Sequence, residues 1–162
     1  MQQAAESVSW IRALRRLRYA AAVTALDTLH LGPASEAACP LWFVSETDLP
    51  HWRASLDAQQ RAWLDGMAFA AERQRLVVLP GADGRVGGAV LGLGNTRGAE
   101  DLNLWHGASL PDRLPAARVE PRQPLGERAR QQLVLGWLLG AYRLNRFRST
   151  ALPAVRAALQ LQ

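Results

Sequence analysis

The stretch RLVVLPGADGRVGGAVLGLG, Arg75 to Gly94, decides the fold. Leu76 to Leu79 form a short branched apolar run with the length of a buried strand. Pro80 to Gly84 carry turn chemistry, and Val86 to Leu93 alternate small and branched apolar residues as a second strand would. Downstream, Leu133 to Leu144 form a long apolar helix. Strand, turn, strand and helix predict a layered α/β domain, yet no catalytic machinery accompanies them.

The chain has 162 residues, 49% hydrophobic and 20% charged, which suits one globular domain and leaves no room for a second full one. Its net charge of +5 comes from arginine, because all nineteen basic residues are Arg and lysine is absent. That is the usage of a GC-rich coding sequence, with phosphate or nucleic-acid binding as the sharper alternative. Cys39 is the single cysteine, so an internal disulfide is excluded and a reducing, cytoplasmic compartment is expected. No activating motif surrounds it, and it reads as a half-buried thiol. The longest apolar run, Leu133 to Tyr142, is about half of a bilayer span, so no membrane crossing is expected.

Along the chain, Trp10, Leu14, Leu17, Ala21 and Ala25 recur at helical spacing opposite Arg12, Arg15 and Arg16, an amphipathic helical extension over residues 1–30. Leu41 to Val44 resume as a strand. Glu46 to Leu56 read as a helix capped by Thr47 with Pro50 in its first turn, and Ala58 to Phe69 as a second that presents Trp63, Met67 and Ala70 to the sheet. After the strand pair, Leu102 to Leu110 read as a short helix or turn. Pro111 to Pro124, with four prolines around Val119, read as an extended surface crossing or edge strand. Gly126 to Leu144 is the strongest helix, with Ala129, Leu133, Gly136, Trp137, Gly140 and Leu144 on one face. Its two glycines predict close helix-on-sheet packing. Residues 151–162 read as a linker.

The search for chemistry is mostly negative. His30, His51 and His106 are scattered, and no HExxH, CxxC or GxSxG is present, so the histidines read as surface residues. Glu100 and Asp101 are adjacent, and adjacent side chains diverge, which makes a poor acid/base pair. Gly92, Gly94, Gly98 and Arg97 could cradle a phosphate, but the spacing departs from GxGxxG and no helix N-terminus follows at the required distance. Of the six tryptophans, Trp42 and Trp52 read as the exposed candidates for stacking on a base, while Trp63, Trp105 and Trp137 read as core or interface anchors.

The segments PLWFVSETDLPHW, RLVVLPGADGRVGGAVLGLG, LNLWHGASLPDRLP and QLVLGWLLGAYRLNRF, in that order, resemble the amino-terminal domain of bacterial leucyl aminopeptidases, the cytosol aminopeptidase family. The resemblance covers about Leu41 to Gln162. It implies a macrodomain-like mixed sheet between helices, hence a three-layer α/β/α domain over residues 31–150, packed into a hexamer of two trimers. It also implies that catalysis lies elsewhere, in a missing carboxy-terminal domain where two divalent ions, zinc or manganese, serve removal of amino-terminal residues from peptides. The family's metal-binding signature NTDAEGRL has a decoy in NTRGAEDL, Asn95 to Leu102, with Arg97 where the ligand aspartate would stand. No catalytic, cofactor-binding or metal-ligating residue is therefore assigned to this chain.

The sequence thus reads as a non-catalytic module of a metallopeptidase that assists assembly and active-site access, with its own catalytic domain and neighbouring subunits as partners. A nucleotide or ADP-ribose binder and a basic DNA-binding accessory domain are the alternatives. The first would need an aspartate and a second glycine loop lining a cleft.

Overall fold

Six strands build one sheet: β1 (Leu29–Leu31), β2 (Cys39–Ser45), β3 (Leu76–Pro80), β4 (Val86–Gly94), β5 (Arg118–Pro121) and β6 (Ala158–Leu161). Around them lie helices α1 (Leu49–Ala54), α2 (Ala58–Gly66), α3 (Leu104–Ala108), α4 (Leu110–Arg113) and α5 (Glu127–Ala141), with a 3-10 turn at Ala99–Asp101. The computed structural model describes residues 28–31, 38–115, 118–142 and 157–161. The amphipathic helix expected between Trp10 and Ala25 lies outside the described residues, as do Arg143 and Leu144.

The strand order is β1-β6-β5-β2-β4-β3. Every neighbouring pair is parallel except β3 and β4, which form the expected antiparallel hairpin with Val77 opposite Val90 and Val78 opposite Ala89. The sheet is therefore mixed. Its side chains alternate between two apolar layers, as the period of a strand demands. Leu41, Phe43, Ala89, Leu91, Leu93, Val119 and Leu159 face α5 and its neighbours, where Leu102, Leu110, Leu133 and Trp137 complete the larger core. Val44, Val77, Leu79 and Val90 face the other way, against Leu56, Leu64 and Phe69 of the α1–α2 region. Helices on both faces give the three-layer α/β/α architecture.

Several local expectations are corrected. Thr47 does not cap the first helix, which starts at Leu49 after Asp48 and has no side-chain cap. Instead the Ser45 hydroxyl donates to Asp48 Oδ2 over 2.7 Å and accepts from the Asp48 amide, closing the turn that leaves β2. The second helix ends at Gly66 and is capped by Asp57, whose Oδ1 accepts from the Gln60 amide over 2.7 Å. Its buried residue is Leu64. Trp63, Met67 and Ala70 are exposed, and Trp63 reaches the sheet only through its indole N–H, which donates to the Val78 carbonyl.

The ends of the domain also differ from expectation. Leu29–Leu31, placed beside the helical extension, form the edge strand β1. Ala158–Leu161, read as linker, form β6 between β1 and β5, with Leu159 fully buried. The proline-rich crossing places β5 in the interior of the sheet, between β6 and β2, rather than at an edge. Pro121, which has no amide to donate, is its last residue, and the next amide, that of Arg122, donates to the Leu41 carbonyl.

Candidate functional site

In a mostly parallel sheet, ligands sit beyond the carboxyl ends of the strands. Here that edge is occupied by the protein itself. Because β5 stops at Pro121, Gln123 takes over its pairing with β2. Its Oε1 accepts from the Phe43 amide at 3.4 Å and its Nε2 donates to the Phe43 carbonyl at 2.5 Å. The side-chain amide stands in for one residue of a strand and fills the crevice between β5 and β2.

The glycines of the decisive stretch serve packing rather than phosphate. A Cβ on Gly92 would meet the backbone of Ala71 at 2.6 Å, because the 71–75 loop lies flat across β4 and pairs with it. In that pairing the Gly92 amide donates to Arg75, the Gln74 amide to Gly92 and the Gly94 amide to Ala71. The loop holds Ala71 and Gln74 at positive φ, 58° and 65°. A Cβ on Gly88 would strike the Trp42 ring. Trp42 then stacks edgewise on Trp52, and Trp52 on Phe69, with ring centroids 5.9 and 6.4 Å apart. The two tryptophans expected to be exposed are thus half-buried in a structural cluster, while Trp63 and Trp105, expected as anchors, face solvent. Trp137 is buried as expected.

Gly94 and Gly98 have φ of 71° and 111°, and Gly98 rests against Asp48 Oδ2. Between them the chain turns back so that Arg97 meets Asp101. The guanidinium donates to Asp101 Oδ1 over 2.8 Å, and the Arg97 amide donates to Oδ2. Those bonds hold the Asp101 carboxyl down at about 2. Arg97 is therefore neutralised by its own loop. The groove beside it, about 650 Å³, adds Glu100, Glu127 and Arg128. Two arginines against three carboxylates leave no excess positive charge for a phosphate. Asp101 and Glu100 do diverge: Asp101 pairs with Arg97, and Glu100 faces out.

The histidines separate by environment. His51 lies exposed on α1. His106 was expected on the surface and is buried instead. Its Nδ1 accepts from the Asn103 amide at 3.1 Å, while Asn103 caps the start of α3, a reciprocal capping box. With Nδ1 accepting, the neutral ring carries its proton on Nε2, which has no hydrogen-bond partner. Burial, with the nearby Arg73 adding to it, pushes the imidazole below its ordinary range. The spacing of Asn103 and His106, N-cap and third helical residue, was a readable signal. Gln123 had none. Cys39 is half-buried, its thiol 3.5 Å from the Val86 carbonyl and pushed up by desolvation.

The contact that organises this layer is between helices. Gly107 of α3 sits against α5 so closely that a Cβ on it would lie 2.6 Å from the Leu133 carbonyl and 3.1 Å from the Trp137 amide. Reciprocally, a Cβ on Gly136 or Gly140 would overlap the backbone of Leu104 or Ala108. The glycine pair therefore serves helix-on-helix packing, not the expected helix-on-sheet contact.

Among the described residues, no group of three or more His, Cys, Asp or Glu is placed to hold a metal ion. The chain also has no lysine. These residues do not fit the two-metal centre that the resemblance implies for a catalytic domain. No helix among the described residues is long and apolar enough to cross a membrane.

A mixed sheet with this layering, and without an assembled catalytic group, defines a supporting domain. The family model of the M17 aminopeptidase N-terminal domain matches residues 39–160, and the chain belongs to that family. Among solved structures it is similar to a cytosol aminopeptidase from Coxiella burnetii, at 21% identity and a TM-score of 0.70 over 83% of this chain and 28% of that one. It is also similar to a leucine aminopeptidase mutant from tomato, at 16% identity and a TM-score of 0.52 over 82% of this chain and 31% of that one. At these identities the likeness is one of fold. The chain spans less than a third of each of those proteins. No curated protein matches it.

Proposed function

We propose that the chain is the non-catalytic amino-terminal module of a metal-dependent aminopeptidase, and that it assists subunit assembly and access to an active site carried by a following segment. The longer protein would release amino-terminal residues from peptides in the cytoplasm, with two divalent ions in that segment. In this reading residues 31–150 are the body of the module and β6 leads out of it. The observation that carries the reading is the match to an aminopeptidase N-terminal domain over 39–160 in a chain that lacks lysine. The test is to extend the polypeptide past Gln162 through its catalytic segment and compare it with that segment alone. Metal-dependent cleavage of leucine p-nitroanilide by the extended protein, with loss of the assembled oligomer in sedimentation when this module is removed, is the expected result. An extended protein without peptidase activity, or one whose assembly ignores the module, would overturn it.

A further inference from the structure

From Leu133 to Ala141, α5 contains no polar side chain. A helix apolar on all sides belongs in an interior, yet only the side bearing Leu133, Gly136, Trp137 and Ala141 is buried. On the outer side Leu135 is 47% exposed and Leu139 54%. The glycine contacts draw α3 tightly against α5, and α3 contributes Trp105, 67% exposed, to the same layer. Three large apolar side chains thus face solvent from two helices in backbone contact. An apolar patch of this kind marks an interface.

We infer that the outer face of α3 and α5 is where the catalytic segment of the same polypeptide docks. This rests on the functional reading above and adds the surface by which the module meets its partner. The choice of occupant follows from the route of the chain. β6 delivers it at Leu161, which lines one cavity of about 210 Å³ together with Leu125 and Arg130 at the start of α5. At 1.5 Å of rise per residue, Leu135 lies about 7 Å and Leu139 about 13 Å along the helix from Arg130. A segment that continues from β6 therefore emerges at the end of the exposed face. The aligned aminopeptidases hold more than two-thirds of their length outside the matched part, ample to cover it.

Single cysteines test this in a Cys39→Ser background: Leu139→Cys on the proposed face, and Gln59→Cys, exposed on α2 in the opposite layer, as the control. Both should react with a maleimide at similar rates in this chain. In the polypeptide extended past Gln162, Leu139→Cys should react at least about ten-fold more slowly and Gln59→Cys unchanged, since burial in an interface blocks the reagent. Leu135→Cys repeats the measurement where Leu139→Cys disturbs the fold. Equal rates in the extended protein would overturn the inference. So would protection in this chain alone that rises with concentration alongside a dimer in sedimentation, because a second copy would then be the occupant. The readout is separate from turnover: an inactive extended protein with a protected Leu139→Cys defeats the aminopeptidase reading and leaves the surface standing. An active one with rapid labelling defeats the surface alone.

Discussion

The indole Nε1 of Trp137 donates to Thr28 Oγ1 across 3.1 Å, joining the middle of α5 to the residue that leads into β1. The ring is fully buried in the larger core, so one side chain fills the layer between sheet and helix and ties it to the edge of the sheet. Trp137→Ala should lower stability by about 3 to 5 kcal/mol, the range for truncating a buried aromatic. Trp137→Phe, which keeps most of the volume but loses the hydrogen bond, should cost less. Leu139→Ala, on the exposed side, should stay within about 0.5 kcal/mol of the parent. Urea unfolding ranks the three, and a larger loss for Leu139→Ala than for Trp137→Ala would mean that α5 faces the other way.

The glycines of the α3–α5 contact give a second ordering. Gly136→Ala and Gly140→Ala place a methyl group into the backbone of Leu104 and Ala108, so both should destabilise by about 1 to 3 kcal/mol through overpacking. Gly66→Ala, at the end of α2, meets nothing within 4 Å and should raise stability by about 0.4 to 1 kcal/mol by restricting the unfolded chain. Thermal midpoints that moved the same way in all three variants would contradict the packing described.

This contrast shows how far the sequence could be read. The β3–β4 hairpin and α5 were legible because apolar runs of strand and helix length are bounded by turn residues. Phase was not legible in the short helix α2, where the buried residue is Leu64 and not Trp63, a rotation of one residue about the helix axis. The GxxxG spacing announced a close approach without naming its partner, which proved to be α3. Strands β1 and β6 are three and four residues long, too short for periodicity to register, and are held by pairing to each other. At the candidate site, the scrambled NTRGAEDL was a sound warning, since Arg97 and Asp101 satisfy each other. Gln123 escaped notice because nothing local marks a side chain that replaces a strand residue.

His106 should leave a pH signature. Its folded-state pKa lies below the ordinary 6.5, so on acidification the unfolded chain takes up the proton first. Stability is then complete above 6.5 and falls as pH drops from there through the folded value. His106→Gln removes this group, and the loss of stability between about pH 7.5 and about pH 5.5 should be smaller in the variant than in the parent. Urea midpoints at the two pH values check it. Equal losses in both proteins would mean that His106 titrates normally in the folded state.

The nucleotide reading makes its own measurable demand. With Gln123 filling the β5–β2 crevice and Arg97 engaged by Asp101, titration with ADP-ribose should give no saturable heat. A micromolar complex corresponds to about 8 kcal/mol and would be plain in calorimetry. If one appeared, and Arg97→Ala abolished it, the glycine loop would have to be reassigned as a ligand site.

Peptidase assay of the purified chain tests the central claim most directly. A module that lacks lysine and gathers no metal-ligand cluster among its described residues should hydrolyse leucine p-nitroanilide only at the background rate, with manganese, with zinc or without added metal. Metal-dependent turnover that follows the chain through repurification would contradict the account.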